Sequence, residues 1–547
     1  MVKLNNVCNK LTHGGGYLTI HFMSLNIKSS RWIIQSFFVH SRKGWIMKKN
    51  ILSYLEETTL KFPSKIAFAD NVREISYENL VSSAKMVGTT LLENNIENNP
   101  IVIYIDKTIN CLSSMFGIVY SGNFYVIIDT QMPIERINLI LNTLDAKIMI
   151  TDKKNYDKAV NINNNLKLYV FEEMLNSIDD EKLLKVRERM IDTDPLYVLF
   201  TSGSTGNPKG TVITHKSVIA YANWYKETFD INENTIFGSQ TPFYFSMSVS
   251  DIYSTIMSGA TFYIIPKMFF SFPVKLIEFL NEKKINTIYW VPSALSIVAN
   301  LKTFDTIKPL YLKKVLFAGE VMPVKQLNVW IKALPDALFA NLFGPTELTD
   351  ICTYYIVDRE FDDCNTLPIG KNCDNCGIMI IKDDNTQAKD GEEGELCVRG
   401  SFLASGYYNN PEKTSAVFTQ NPLNKCYPEL IYRTGDIVKY NEHGELIYLS
   451  RKDFQIKHMG YRIELGEIET NINSLEGIVS CACIYRDNKI VLFYQSEKLT
   501  DEALLKFAKQ KLPQYMCPNK IIKLIQMPYN ANGKIDRNLL KNYEEEI

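Results

Sequence analysis

Leu199-Phe200-Thr201-Ser202-Gly203-Ser204-Thr205-Gly206-Asn207-Pro208-Lys209-Gly210 decides how this chain is read. The run follows an apolar stretch, Tyr197 to Phe200, that has the look of a buried strand, and it then packs hydroxyls, three glycines and one lysine into ten residues. Glycines let successive backbone N–H groups converge on an anion, and hydroxyls with an ammonium complete the cage. A polyphosphate is the expected occupant. This is not a Walker A loop, which needs Lys-Ser/Thr opening a helix. Here Lys209 is followed by Gly210 and the β-branched Thr211-Val212-Ile213, which predict a return strand. Such composition usually makes an ordinary hairpin turn, but the order of the residues argues for more.

Working outward, four further motifs follow. They are Asn341-Leu342-Phe343-Gly344-Pro345-Thr346-Glu347, Tyr432-Arg433-Thr434-Gly435-Asp436, the segment from Arg451 to Glu469, and Asn532-Gly533-Lys534-Ile535-Asp536-Arg537. Each alone is weak; five in this order and spacing are not. Together they resemble the adenylate-forming superfamily of acyl-CoA synthetases, luciferases and carrier-loading adenylation enzymes. The resemblance runs from about Met47 to the C-terminus. Within the superfamily, Asn-Gly-Lys-Ile-Asp-Arg and Gly-Tyr-Arg-Ile-Glu-Leu-Gly-Glu-Ile-Glu are most similar to nonribosomal peptide adenylation domains and stand-alone D-alanyl carrier protein ligases.

Composition sets the bounds. The 547 residues are enough for several domain-sized units, and 46% hydrophobic with 22% charged residues is ordinary for a soluble globular chain. A net charge of -1 gives no reason to expect nucleic acid or an anionic membrane as partner. No apolar run approaches the roughly 20 residues of a membrane span. The 11 cysteines are scattered, and the one CxxC, Cys373 to Cys376, lacks a second pair, so reduced thiols in a cytoplasmic protein are expected.

Residues 1–46 stand apart. They hold Lys3, Lys10, Lys28, Arg31, Arg42 and Lys43 but no Asp or Glu, and their apolar pieces are too broken for a signal peptide. They are expected to lie outside the functional protein, with the true start at Met47. From there to about Lys452, helical patterns alternate with short β-rich runs such as 101–105, 147–151, 197–200, 287–291 and 314–317, which predicts an α/β architecture with mixed or parallel sheets. The resemblance implies a large multi-subdomain core over 47–452, a hinge at Asp453 and a small α+β lid over 453–547.

The implied chemistry begins with attack of a carboxylate on the α-phosphorus of ATP. Two anions must meet, so the site needs preorganised cations and N–H donors more than a base. By resemblance, Thr201, Ser202, Gly203, Ser204, Thr205, Gly206 and Lys209 hold the β and γ phosphates. Asn341, Phe343, Gly344 and Thr346 form the adenine motif, with Phe343 where most relatives have tyrosine. Asp436 accepts from the ribose hydroxyls and Arg451 reaches the same sugar, although the usual Gly-Arg is Ser450-Arg451 here. Glu347 binds Mg2+, a hard ion that takes carboxylate and phosphate oxygens. Lys534 bridges substrate carboxylate and ester oxygen. In a second step the lid withdraws Lys534 and presents Lys457 and Met459-Gly460-Tyr461 to a phosphopantetheine thiol.

The substrate pocket departs from the pattern. Amino-acid-activating relatives have Phe-Asp-x-Ser-Val, whose aspartate binds an α-ammonium, whereas this chain has Phe245-Ser246-Met247-Ser248-Val249. Losing that carboxylate forfeits a charge-assisted contact of roughly 1.5 to 3 kcal/mol. The other expected wall positions are Met247, Ser250, Leu316, Ala318, Leu342, Asp350 and Ile351, of which Asp350 is unusual for the D-alanine ligases. Asp251 is expected to serve packing or a cap. The pattern points to a ligase that adenylates a small carboxylic acid and loads it on a separate carrier protein, since no Gly-Asp-Ser attachment motif follows Lys534. A coenzyme A ligase is the second possibility, a non-catalytic nucleotide-binding regulator a third, and a luciferase-like oxygenase shares the first half-reaction. Lys209, Glu347, Asp436, Arg451 and Lys534 argue against the regulator.

Overall fold

The computed structural model describes residues 48–162, 165–203, 207–363, 365–452, 455–529 and 535–543. Asn50 caps the first helix, Ile51–Lys61, by accepting from the Ser53 amide, and the helix buries Ile51, Leu52 and Leu55. Two large sheets follow, as the alternating pattern predicts. The six-stranded sheet runs Lys167–Val170, Ile148–Thr151, Pro100–Tyr104, Phe124–Ile127, Pro195–Thr201, Lys209–Thr214, parallel except for the last pair. Its inner strands are apolar on both faces, the signature of a sheet covered by crossover helices.

The nine-stranded sheet has six parallel strands at its centre, from Leu338–Phe343 through Lys314–Phe317, Thr287–Trp290, Ile236–Ser239 and Thr261–Ile264 to Ile66–Ala69. Short antiparallel strands close both edges. The predicted runs recur with shifted ends. The hairpin strand is longer than 197–200, spanning Pro195–Thr201, because its end residues pair across the turn, Pro195 with Thr214 and Thr201 with Lys209.

The alternating pattern did not announce a third sheet, wholly antiparallel, built from Cys376–Ile381, Gly394–Gly400, Leu430–Tyr440, Phe418–Gln420 and Leu446–Arg451. The C-terminal part has its own apolar clusters, one around Ile463, Ile468, Leu492, Leu504 and Met516. It contains a two-stranded ribbon, Gln455–His458 with Tyr461–Glu464, and a three-stranded sheet, Ser480–Arg486, Lys489–Gln495 and Lys520–Leu524. Among the described residues no helix is long and apolar enough to cross a membrane, and the cysteines are free thiols.

Candidate functional site

Strand ends and tight loops carry the site. The hairpin between Pro195–Thr201 and Lys209–Thr214 brings Thr201, Ser202, Gly203 and Lys209 to one end of the six-stranded sheet. The loop after Leu338–Phe343 faces it. In that loop Thr349 has φ 67°, rare for a β-branched residue, and its hydroxyl is held by the Phe402 carbonyl at 2.9 Å. A Cβ on Gly344 would lie 2.5 Å from the Asp350 carbonyl oxygen. Only glycine permits this close fold-back, which directs Glu347 and Asp350 of one short loop into different compartments.

Glu347 is fully buried. Arg462 donates to its Oε2 at 2.6 Å, Tyr407 to its Oε1 at 2.6 Å, and Lys209 stands 3.8 Å from Oε1. Burial alone would raise this carboxyl, but the Arg462 guanidinium and Lys209 ammonium outweigh it and hold it at about 2. Burial, with Arg462 beside it, lowers Lys209 to about 8, although Glu347 and Glu464 pull the other way.

The C-terminal part docks against the hairpin. The Gly203 N–H donates to Glu467 Oε2 at 3.0 Å, and Glu467 pairs through Oε1 with buried Arg136. Ser202 donates to the Arg462 carbonyl at 2.8 Å and accepts from the Glu464 amide at 3.0 Å, while Lys209 lies 3.7 Å from the Glu464 carboxylate. Carboxylates therefore occupy the hairpin's anion donors. The sequence did not single out Arg136, Glu464, Glu467 or Arg462. Arg136 is remote in sequence and carries no motif, although the acidic residues lie inside a motif quoted for its whole length.

A second cleft adjoins the first. Asn341, Leu342 and Phe343 line it, with Asp436, Tyr448, Arg451, Lys457, His458 and Met459. Arg451 donates to Asp436 Oδ1 at 3.0 Å and to the Thr434 carbonyl at 2.8 Å, which fixes both on adjacent strands. Lys457, half-buried and lowered by that burial, lies 4.7 Å over the Phe343 ring. Asn341 donates its amide to the Pro368 carbonyl at 2.8 Å. Glu320 ties the ribbon turn to this face: it accepts from the Gly460 amide at 2.9 Å and the Ser293 amide at 2.8 Å.

Most of the predicted acid-pocket residues meet in the first cleft. Phe245, Ser246, Met247, Ala318, Asp350 and Ile351 line it together with Thr201, Ser202, Gly344 and Thr346. The fit is not complete. Leu316 is wholly buried in the main core and lines neither cleft, because its strand lies in the middle of the nine-stranded sheet. Leu342 lines the second cleft instead, and Ser250 lies behind the wall, touching Asp350. Asp251 is buried beside Lys107. Ser204, Thr205, Gly206, Asp453 and Lys534 lie outside the described residues.

The family model described as AMP-binding enzyme matches residues 55–408. The chain is 31% identical over 508 residues to tyrocidine synthase 1 of Brevibacillus parabrevis, covering 92% of this chain and 46% of that protein, so it spans about half the length of that relative. It is 30% identical over 517 residues to the D-alanine--D-alanyl carrier protein ligase of Bacillus mycoides (strain KBAB4), covering 90% of this chain and 98% of that one. Among solved structures, the Vibrio cholerae adenylation domain AlmE, in complex with glycyl-adenosine-5'-phosphate, matches with a TM-score of 0.79 at 21% identity, over 96% of this chain and 99% of that one. On the family model and the full-length match to the ligase, the chain belongs to the AMP-binding enzyme family.

Proposed function

We propose that this protein is an ATP-dependent ligase that activates a small carboxylic acid, an amino acid or a close analogue, as its adenylate and passes the acyl group to the phosphopantetheine thiol of a separate carrier protein. One observation carries the reading. A single region joins the glycine-rich hairpin, the Asp436–Arg451 pair, the Glu347–Lys209 pair and an acid pocket ending at Asp350. Nucleotide and acid can therefore meet end to end.

In the first step a carboxylate oxygen bonds to the α-phosphorus and the bond to pyrophosphate breaks. Thr201 to Gly206 with Lys209 would hold the leaving phosphates, Asn341, Phe343, Gly344 and Thr346 the adenine end, and Asp436 with Arg451 the ribose. A buried, ionised Glu347 beside an anion-binding hairpin suits a magnesium ion shared with phosphate oxygens. Such an ion supplies charge neutralisation at the phosphates. Lys534 would neutralise the oxygens of the reacting carboxylate. In the second step the thiol sulfur attacks the acyl carbonyl and AMP leaves.

We assign residues 47–452 to the core, 453–547 to a lid hinged at Asp453, and 1–46 to an extension without a role in the reaction. The contacts of Gly460, Tyr461 and Arg462 with the core suit the second step, in which Lys457 and the ribbon border the nucleotide. The D-alanyl carrier protein ligase resemblance over nearly the whole chain favours a carrier protein over coenzyme A. A cytoplasmic location accords with the free thiols.

The test is carboxylate-dependent pyrophosphate exchange, followed by transfer to a holo carrier protein and to coenzyme A. Lys534→Ala is expected to abolish exchange while ATP still binds. Exchange at the wild-type rate in that variant refutes the assignment. Equal transfer rates to both thiols would favour the coenzyme A ligase.

A further inference from the structure

Asp350 is 2% exposed, and its two carboxylate oxygens are unequally satisfied. Three hydroxyls, of Tyr221, Ser250 and Tyr289, converge on Oδ2 at 3.0 Å each, and Tyr221 and Ser250 also touch one another at 2.6 Å. Among the described residues Oδ1 meets only the Ser246 hydroxyl, at 3.0 Å. A carboxylate offers about four lone-pair sites. The saturated oxygen thus faces the fully buried Tyr221, Ser250 and Tyr289, and the spare capacity lies beside half-buried Ser246, on the side of the cleft.

The charge is unanswered as well. Among the described residues every contact of this carboxylate is a hydroxyl. The nearby cations are engaged elsewhere: Lys107 acts on Asp251, Lys457 lies over Phe343, Arg462 bonds Glu347 and Arg136 pairs with Glu467. Burial raises Asp350 to about 6 in spite of the hydroxyls of Ser246, Ser250, Tyr289 and Tyr221, so these donors do not fully offset the cost of its charge. A buried anion without a counter-ion is expensive, and four neutral donors do not replace a cation.

We infer that the acid this enzyme activates carries a protonated amine, received by Asp350 Oδ1 beside Ser246. This rests on the proposed adenylation reaction and adds the substrate's charge to it. The acid is a zwitterion, with its carboxylate toward the nucleotide and its ammonium toward the strained turn after Glu347. Ser246 supplies a hydroxyl, 3.0 Å from Asp350, where a second carboxylate would give the pocket two adjacent negative charges. A neutral fatty or aryl acid would leave the buried charge unpaired and lose contact with it.

The experiment is pyrophosphate exchange with matched pairs. The common amino acids, β-alanine and 4-aminobutyrate are each compared with the acid of the same skeleton lacking nitrogen. Wild type should favour the best amino member over its partner by about 100-fold or more in kcat/KM. Asp350→Asn should shrink that ratio to a few-fold. Thermal unfolding and ATP binding check that the variant is folded; if it is not, the wild-type ratio decides alone. Exchange driven equally by deamino acids, or a ratio unaltered by Asp350→Asn, overturns this inference and leaves the ligase intact. A protein that binds ATP but exchanges with no acid overturns both.

Discussion

Glu467→Gln is expected to separate the two half-reactions. Glu467 is wholly buried, paired with Arg136, itself 6% exposed, and its second oxygen accepts the Gly203 N–H of the glycine-rich hairpin. Removing one partner of a buried ion pair costs about 3 to 5 kcal/mol, because the other charge is left uncompensated. In the proposed lid movement Arg136 rehydrates, so the penalty falls on the docked pose, and the lower figure of about 3 kcal/mol applies. At about 1.4 kcal/mol per factor of ten, thioester formation should slow roughly 100-fold. Adenylation should be spared, since a polyphosphate in the hairpin needs the Gly203 N–H that Glu467 now occupies. The assay forms the adenylate first, adds a thiol acceptor and follows AMP release, with pyrophosphate exchange measured alongside. Transfer within threefold of wild type, or an equal loss in both reactions, would refute the reasoning.

Glu347 makes stability depend on pH. Its carboxyl is held at about 2 rather than the usual 4.5, so its contribution of about 3 kcal/mol is complete above pH 4.5 and is lost as pH falls through about 2. Denaturant titrations across that window should show a flatter acid limb for Glu347→Gln, and parallel limbs would contradict the pairing. Gly460 has φ 80°, and a Cβ there would lie 2.5 Å from Val291 Cγ1, so Gly460→Ala should slow thioester formation more than exchange. An even loss in the two rates would count against that. Deleting residues 1–46 should leave folding and activity unchanged, and an insoluble or inactive product would show the extension to be structural.

The parts of the site legible in the sequence were those whose partners lie close along the chain. The hairpin and its return strand follow from one twelve-residue run, because glycines, hydroxyls and β-branched residues act through local backbone preferences. Asp436 and Arg451 sit in recognisable motifs and prove to be partners on adjacent strands. The strand runs of the parallel sheets were visible because burial on both faces leaves them continuously apolar. The antiparallel sheet of 376–451 was missed, since its longest strand, Leu430–Tyr440, mixes polar and apolar residues.

By itself the sequence determined the α/β class and the family, both of which depend on local order and composition. Tertiary structure alone decided that Arg136 and Glu467, 331 positions apart, close over the hairpin, and that Arg462 reaches Glu347. It also decided that Asp350, which the sequence marked only as an unusual pocket residue, is a buried carboxylate ringed by hydroxyls from Tyr221, Ser246, Ser250 and Tyr289. Charge pairing and desolvation depend on which side chains share a space from which water is excluded, and chain order does not state that neighbourhood.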